Sequence, residues 1–183
     1  AGSSAALSEN AQISKLEPVT VTSATTATMF IAEIADTEEL RTRGLMFRHF
    51  LPEDKAMLFD YEQPRPVAMW MKNTNISLDM LFIREDGTIA AIAEDTVPQS
   101  LDTISVQEPV RGVLELAAGT VKRLGLRPND KVYHRIFKTV EDYDNWLKRG
   151  AAFPAIYDQA IANMREGMKA GVVQPKALMV KVI

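Results

Sequence analysis

Met69-Trp70-Met71-Lys72-Asn73-Thr74-Asn75-Ile76-Ser77-Leu78-Asp79-Met80-Leu81-Phe82-Ile83 runs on through Arg84-Glu85-Asp86-Gly87-Thr88 into Ile89-Ala90-Ala91-Ile92-Ala93, and this stretch decides the fold. Two apolar runs, Met80 to Ile83 and Ile89 to Ala93, flank Glu85-Asp86-Gly87. An Asp-Gly pair between hydrophobic runs marks a hairpin, because glycine takes the positive φ that a tight turn requires. Upstream, Val67 to Met71 reads as another strand. Extended to Asn73, it turns Met69, Met71 and Asn73 to one side and Trp70 and Lys72 to the other. Asn73-Thr74-Asn75 then bends the chain, and Asp79 stands at the start of the apolar strand that follows.

Outward from this centre the text stays strand-like. Val19-Thr20-Val21-Thr22 alternates apolar and polar, and Met29 to Ile34 is rich in residues that suit a pleated surface. Met57 to Phe59, Val110 to Leu116 and Lys131 to Ile136 complete the series. Helical signals are brief. Asp36, with Glu39 three residues on, resembles a capping box and opens a short helix before Arg43-Gly44. A second short helix runs from Thr120 to Leu124 and ends at Gly125, a C-cap. Short strands separated by turn signals predict a mainly β fold, a compact barrel or sandwich with short helices.

At Lys138 the pattern changes. Thr139-Val140-Glu141-Asp142 starts a helix, Phe153-Pro154 opens a second, and Pro175 starts a third. Phe153, Tyr157, Ile161, Met164 and Met168 form an apolar stripe. The predicted organisation is a mobile N-terminal segment over 1–16, a β-rich domain over 17–137 and a fused helical tail over 138–183. A short amphipathic helix needs a surface for its apolar face, so the tail packs on the β body or on a second copy. The first gives a monomer, the second a dimer through the tail.

Composition excludes several classes. A formal net charge of −3 argues against a broad grip on nucleic acid. With no cysteine there are no disulfides, thiolate ligands or cysteine nucleophiles. No apolar run approaches the roughly 20 residues that span a bilayer. The Ala/Ser-rich opening from Ala1 to Gln12 points to a periplasmic or otherwise exported protein, with the cytoplasm as the alternative.

Arg43-Gly44-Leu45-Met46-Phe47-Arg48, Leu51-Pro52-x-Asp54 and Met57-Leu58-Phe59 come first in a longer signature. It continues through Met69 to Ile83, Asp86-Gly87-x-Ile89, Val113-Leu114-Glu115-Leu116 with Gly119, and Leu124-Gly125. In this order the residues resemble the uncharacterised bacterial and archaeal family 192 of domains of unknown function. Ala56 and Asn129 stand where that family commonly has glycine, and Ser77 where it has proline. The resemblance implies a compact β fold, common in exported proteins, with no established activity. The tail is similar instead to family 885 of the same catalogue, in Val140-Glu141-Asp142-Tyr143, Ala160 to Gly167 and Gly171 to Pro175. There such text lies within larger proteins that resemble zinc-dependent peptidases. Their His-Glu-x-x-His motif is absent, since His49 and His134 are the only histidines.

The richest chemistry lies between Met69 and Asp79. One reading is a pocket with a polar floor of Asp79, Lys72 and Asn73, walls of Trp70 and methionines, and Arg43 and Arg48 nearby. The other is a turn network in which Asp79 caps backbone amides. Met69-x-Met71 has a spacing that suits copper(I), but methionine ordinarily fills cores, so no metal and no cofactor is expected. No serine sits in a nucleophile elbow, and no glycine loop cradles phosphate. Glu115 with Asp79 could do acid–base work if brought close, but Glu115, between Leu114 and Leu116, reads as a solvent-facing residue of an alternating strand. The expected function is a binding or interaction module of the bacterial envelope, for a small polar molecule or a protein partner. The alternative is a small hydrolase- or isomerase-like enzyme using Asp79 and Lys72 for acid–base chemistry. A chain ended at Phe137 is expected to unfold cooperatively in urea, because the β domain has its own closing strand; absence of a cooperative transition would refute the two-part division.

Overall fold

The computed structural model describes residues 15–138 and the backbone of Met179–Lys181. Helices expected between 139 and 178 lie outside the described residues. Within the stretch read as a helical tail, Met179–Lys181 forms a strand.

Seven strands follow one another through the body: β1 (Lys15–Thr22), β2 (Thr26–Ala35), β3 (Lys55–Met69), β4 (Leu78–Ile83), β5 (Ile89–Ala93), β6 (Ile104–Ala117) and β7 (Lys131–Tyr133). β8 (Met179–Lys181) pairs with the start of β2. Two helices interrupt them, α1 (Glu38–Arg43) and α2 (Thr120–Leu124). The strands form a single curled sheet in the order β5-β4-β6-β3-β2-β1-β7, with β8 off that path. It is a half-barrel whose two ends touch where Thr88 bridges Lys131 and the Ile89 amide donates to Asp130. No described helix is long and apolar enough to cross a membrane.

All pairings are antiparallel except one. β2 and β3 run parallel, from Ile31 opposite Lys55 to Ala35 opposite Phe59. Parallel neighbours cannot be joined by a tight turn, so residues 36–54 cross back over the sheet. That crossing carries α1 and sets Leu40, Leu45 and Leu51 against Met57, Phe59, Met80 and Phe82. On the other face, Phe30, Ile34, Leu58, Leu81, Leu114 and Leu116 pack beneath Val121 and Leu124 of α2. The sheet is therefore buried on both sides. Every residue of β4 is buried, which is why Met80 to Ile83 reads as a continuous apolar run rather than an alternation.

The expected hairpin forms, with Gly87 at φ +85°. Elsewhere the structure corrects the sequence reading in detail. The N-cap of α1 is Thr37, whose hydroxyl accepts from the Leu40 amide at 3.1 Å, and not Asp36. Met57 to Phe59 and Val67 to Met69 belong to one bulged strand, β3, paired along β6, and the strand ends before Trp70 and Met71. Gly112 makes that pairing possible: a Cβ there would lie 2.7 Å from the Phe59 carbonyl oxygen. β1 begins at Lys15, inside the segment expected to be mobile. β7 stops at Tyr133 rather than Ile136, because the chain turns there and the Phe137 amide donates to the His134 carbonyl.

His134 is fully buried, and its Nε2 lies 2.6 Å from Glu17 Oε2. The Ile136 amide donates to Nδ1, so the ring proton sits on Nε2 and is donated to Glu17. Arg135 Nε donates to the other oxygen of Glu17 at 3.0 Å. Burial alone would raise the Glu17 carboxyl, but these hydrogen bonds outweigh it and hold it at about 2. Burial lowers His134 and keeps the ring neutral despite the carboxylate beside it. Both shifts act in one direction. Unfolding releases a histidine that takes up a proton below its ordinary value of 6.5 and a glutamate that does so below 4.5. Stability is therefore expected to fall as pH drops below 6.5, and to lose a further ~2–3 kcal/mol between pH 4.5 and 2. Urea titrations should show the lower part of that decline flattened in Glu17→Gln; an unfolding free energy level from pH 6.5 to 3 would refute it.

Candidate functional site

A cavity of about 460 Å³ opens between the end of α1 and the bulged part of β3, within the size range of small-molecule sites. The last turn of α1 supplies Arg41 and Arg43, and Gly44 then ends the helix at φ +49°, its amide donating to Leu40. Only glycine suits this corner: the conformation is left-handed, and a Cβ would press to 3.1 Å from the Phe59 ring. β3 contributes Tyr61 and Arg65 beside a register shift between Asp60 and Arg65. The guanidiniums of Arg41 and Arg65 bracket the Tyr61 ring at 5.7 and 4.8 Å from its centroid. Arg41 Nη1 also donates to the Asp60 carbonyl at 2.9 Å. The Tyr61 hydroxyl donates to Met69 Sδ at 3.2 Å, and burial pushes the phenol up to about 12.

The floor of the cavity holds a carboxyl. Glu115 lies on β6 in a cross-strand row that runs Glu33, Met57, Glu115, Met80 across β2, β3, β6 and β4. It is only 4% exposed, and its Oε2 has no hydrogen-bond partner among the described residues. Burial pushes this carboxyl up to about 8, with Arg48 pulling it back. Arg48 itself is held in a bidentate pair by Glu33.

The six residues singled out from sequence separate. Arg43 and Trp70 line the cavity, and Trp70 is 44% exposed. Arg48 lines a smaller neighbouring pocket of about 150 Å³ with Arg43, Phe47 and Met57. Lys72 is exposed, its ammonium 5.0 Å from the centre of the Trp70 ring, outside the cavity wall. Asn73 acts through its backbone: its carbonyl accepts from the Phe47 amide at 2.8 Å, which latches two loops. Asp79 is fully buried, and its oxygens accept from the Asp95 amide at 3.0 Å and the Val121 amide at 2.9 Å. It therefore lies on the α2 side of the sheet, away from the cavity. Asp79 is buried on the α2 side and Lys72 is exposed, so the structure does not bring the two together around one small substrate.

Sequence reasoning missed Arg41, Tyr61 and Arg65, and it set Glu115 aside as solvent-facing. Alternation with Leu114 and Leu116 correctly puts Glu115 on the opposite face, but that face is covered by the crossing segment and does not meet water. The signal was present in β4, whose lack of alternation implies two covered faces.

These features define a small, mainly β domain built on one curled sheet, with an arginine-walled cavity above a buried acid. The chain belongs to the DUF192 family, described as an uncharacterised ACR, whose profile matches residues 19–134. The profile of DUF885, described as a bacterial protein of unknown function, matches residues 86–183 and so begins well inside the β body. No curated protein matches. Solved structures that are similar include two from bacteria. One is a Sinorhizobium meliloti 1021 protein described as a putative transcription regulator, 47% identical, with a TM-score of 0.64, covering 66% of this chain and 94% of that one. The other is a protein of unknown function from Novosphingobium aromaticivorans DSM 12444, 36% identical, with a TM-score of 0.64, covering 65% of this chain and 85% of that one.

Asp79→Ala is expected to strip both amides of their acceptor and lower unfolding free energy by about 2–3 kcal/mol. Lys72→Ala on the surface should change it by less than about 0.5 kcal/mol. Equal urea midpoints for the two variants would show that Asp79 does not tie β4 to α2.

Proposed function

We propose that the protein is a binding module for a small, anionic polar molecule held in the cavity over Glu115. One observation carries this reading: Arg41, Arg43 and Arg65 converge on one cavity, and none forms an ion pair with a carboxylate among the described residues. Guanidiniums present several donors in a rigid fork and match carboxylate and phosphate oxygens. Trp70 gives one wall an aromatic face for an apolar part of the ligand. Glu38 at the rim is the one exposed carboxylate of the lining, against three cations.

Phe47, which is 59% exposed, and Phe50 lie close to Gly44 in the chain and favour a second reading. In it the anionic group belongs to a protein partner that covers these rings. The regulator label on the 47% identical relative fits ligand sensing, while a net charge of −3 does not favour a grip on DNA.

Isothermal titration with inorganic sulfate, inorganic phosphate and succinate tests the proposal. At least one is expected to bind, more weakly as salt is raised. Arg43→Ala and Arg65→Ala should each reduce affinity about tenfold or more, the loss expected of one charge-assisted hydrogen bond. Binding that is absent, or identical in wild type and both variants, would overturn it.

A further inference from the structure

Three buried side-chain oxygens among the described residues lack a hydrogen-bond partner, and only Glu115 Oε2 belongs to the cavity. A buried polar atom without a partner is uncommon and needs an explanation. The surroundings of Glu115 supply one. Its neighbours across the strands are Met57 and Met80, neither of which can stabilise a charge. From the crossing segment, the cation acting on it is Arg48, already neutralised by Glu33 of β2. From α1, Arg41 and Arg43 face the cavity with Glu38 at its rim. From β3, Arg65 and the Tyr61 phenol complete the charged and titratable lining.

We infer that the cavity takes up its anion together with a proton: Glu115 stays in the acid form and donates from its unpartnered oxygen to an oxygen of the bound anion. This rests on the anion-binding reading above and sharpens it to a class of ligand. The ligand is an oxyanion with at least two acceptor oxygens, one for the guanidiniums at the wall and one for the acid at the floor. An ionised carboxylate at the floor would repel such a ligand, whereas a carboxylic acid supplies a donor there. The position of the free carboxyl, pushed up to about 8 by burial, agrees with an acid form at neutral pH. By linkage, the bound anion raises it further, because each ligand favours the state the other prefers.

Sulfate is the probe, since it remains a dianion from pH 6 to 9.5. No lysine or histidine among the described residues lines the cavity, and burial holds Tyr61 near 12, so neither kind of group adds a proton step over this range. Titration calorimetry at constant ionic strength should give a level affinity from pH 6 to about 7.5. Above about pH 8 it should fall towards tenfold per pH unit, the slope for one proton taken up with the ligand. Glu115→Gln keeps a donor but cannot titrate, and its affinity should stay level throughout. Carbon NMR of the Glu115 carboxyl in the wild-type chain should show a midpoint that rises by about one unit or more under saturating sulfate. A wild-type affinity level to pH 9.5, or a midpoint unmoved or lowered by sulfate, overturns the proton coupling and leaves anion binding standing. No sulfate binding at any pH overturns the proton coupling, and if phosphate and succinate also fail to bind, the anion-binding reading falls with it.

Discussion

The parallel pairing of β2 with β3 is the constraint on which the rest of the structure depends. Had the two strands formed a hairpin, one face of the sheet would stand open to water, as in many antiparallel sheets. Parallel pairing makes residues 36–54 return across the sheet before β3 can begin. The segment that crosses brings Leu40, Leu45 and Leu51 down on a face of methionine and phenylalanine. Its helix ends where Gly44 can turn sharply above Phe59. The cavity is what remains between this crossing and the bulged end of β3. The Glu115 carboxyl of β6 beneath is left almost wholly buried at the floor of that cavity.

The bulge does the complementary work from the other side. Extra residues between Asp60 and Arg65 break the register with β6 and re-aim the side chains there. Asp60 pairs with Arg111 of β6 and accepts from the Glu62 amide, which pins the irregular stretch. Burial would raise that carboxyl, but Arg111 and the amide hold it below the usual range. With Asp60 occupied in this way, Arg41 and Arg65 lie over Tyr61 with no carboxylate partner among the described residues. A separate latch joins Phe47 to Asn73, and both residues have positive φ, +66° and +54°. Asn tolerates that region and Phe does not, so Phe47 costs about 1 kcal/mol that its hydrogen bond helps to offset.

Local chemistry made several elements legible in advance. Asp86-Gly87 specified its hairpin because the turn needs a residue free to take positive φ. Gly125 ended α2 for the same reason. Asn129, standing where the family commonly has glycine, takes φ +75°, a conformation that asparagine tolerates better than most residues. Asp79 was readable either as a pocket residue or as a cap for backbone amides, and its two amide bonds follow the second. The start of α1 was misplaced by one residue, since Asp36 and Thr37 are both good caps and only the backbone chooses between them.

What the sequence determined by itself was therefore period and punctuation: which residues alternate, where turns fall, and which side of a strand each side chain takes. That reading put Glu115 opposite Leu114 and Leu116, as the structure has it. Whether that side meets water was decided only in three dimensions. It depends on the parallel partner of β2 and on the path of residues 36–54, neither of which leaves a trace in the alternation of β6. The meeting of Arg41, Arg65 and Glu115, distant in sequence, is of the same kind. Strand periodicity fixes a direction from the backbone, while burial, and with it the chemistry of a carboxyl, is set by what long-range pairing lays on top.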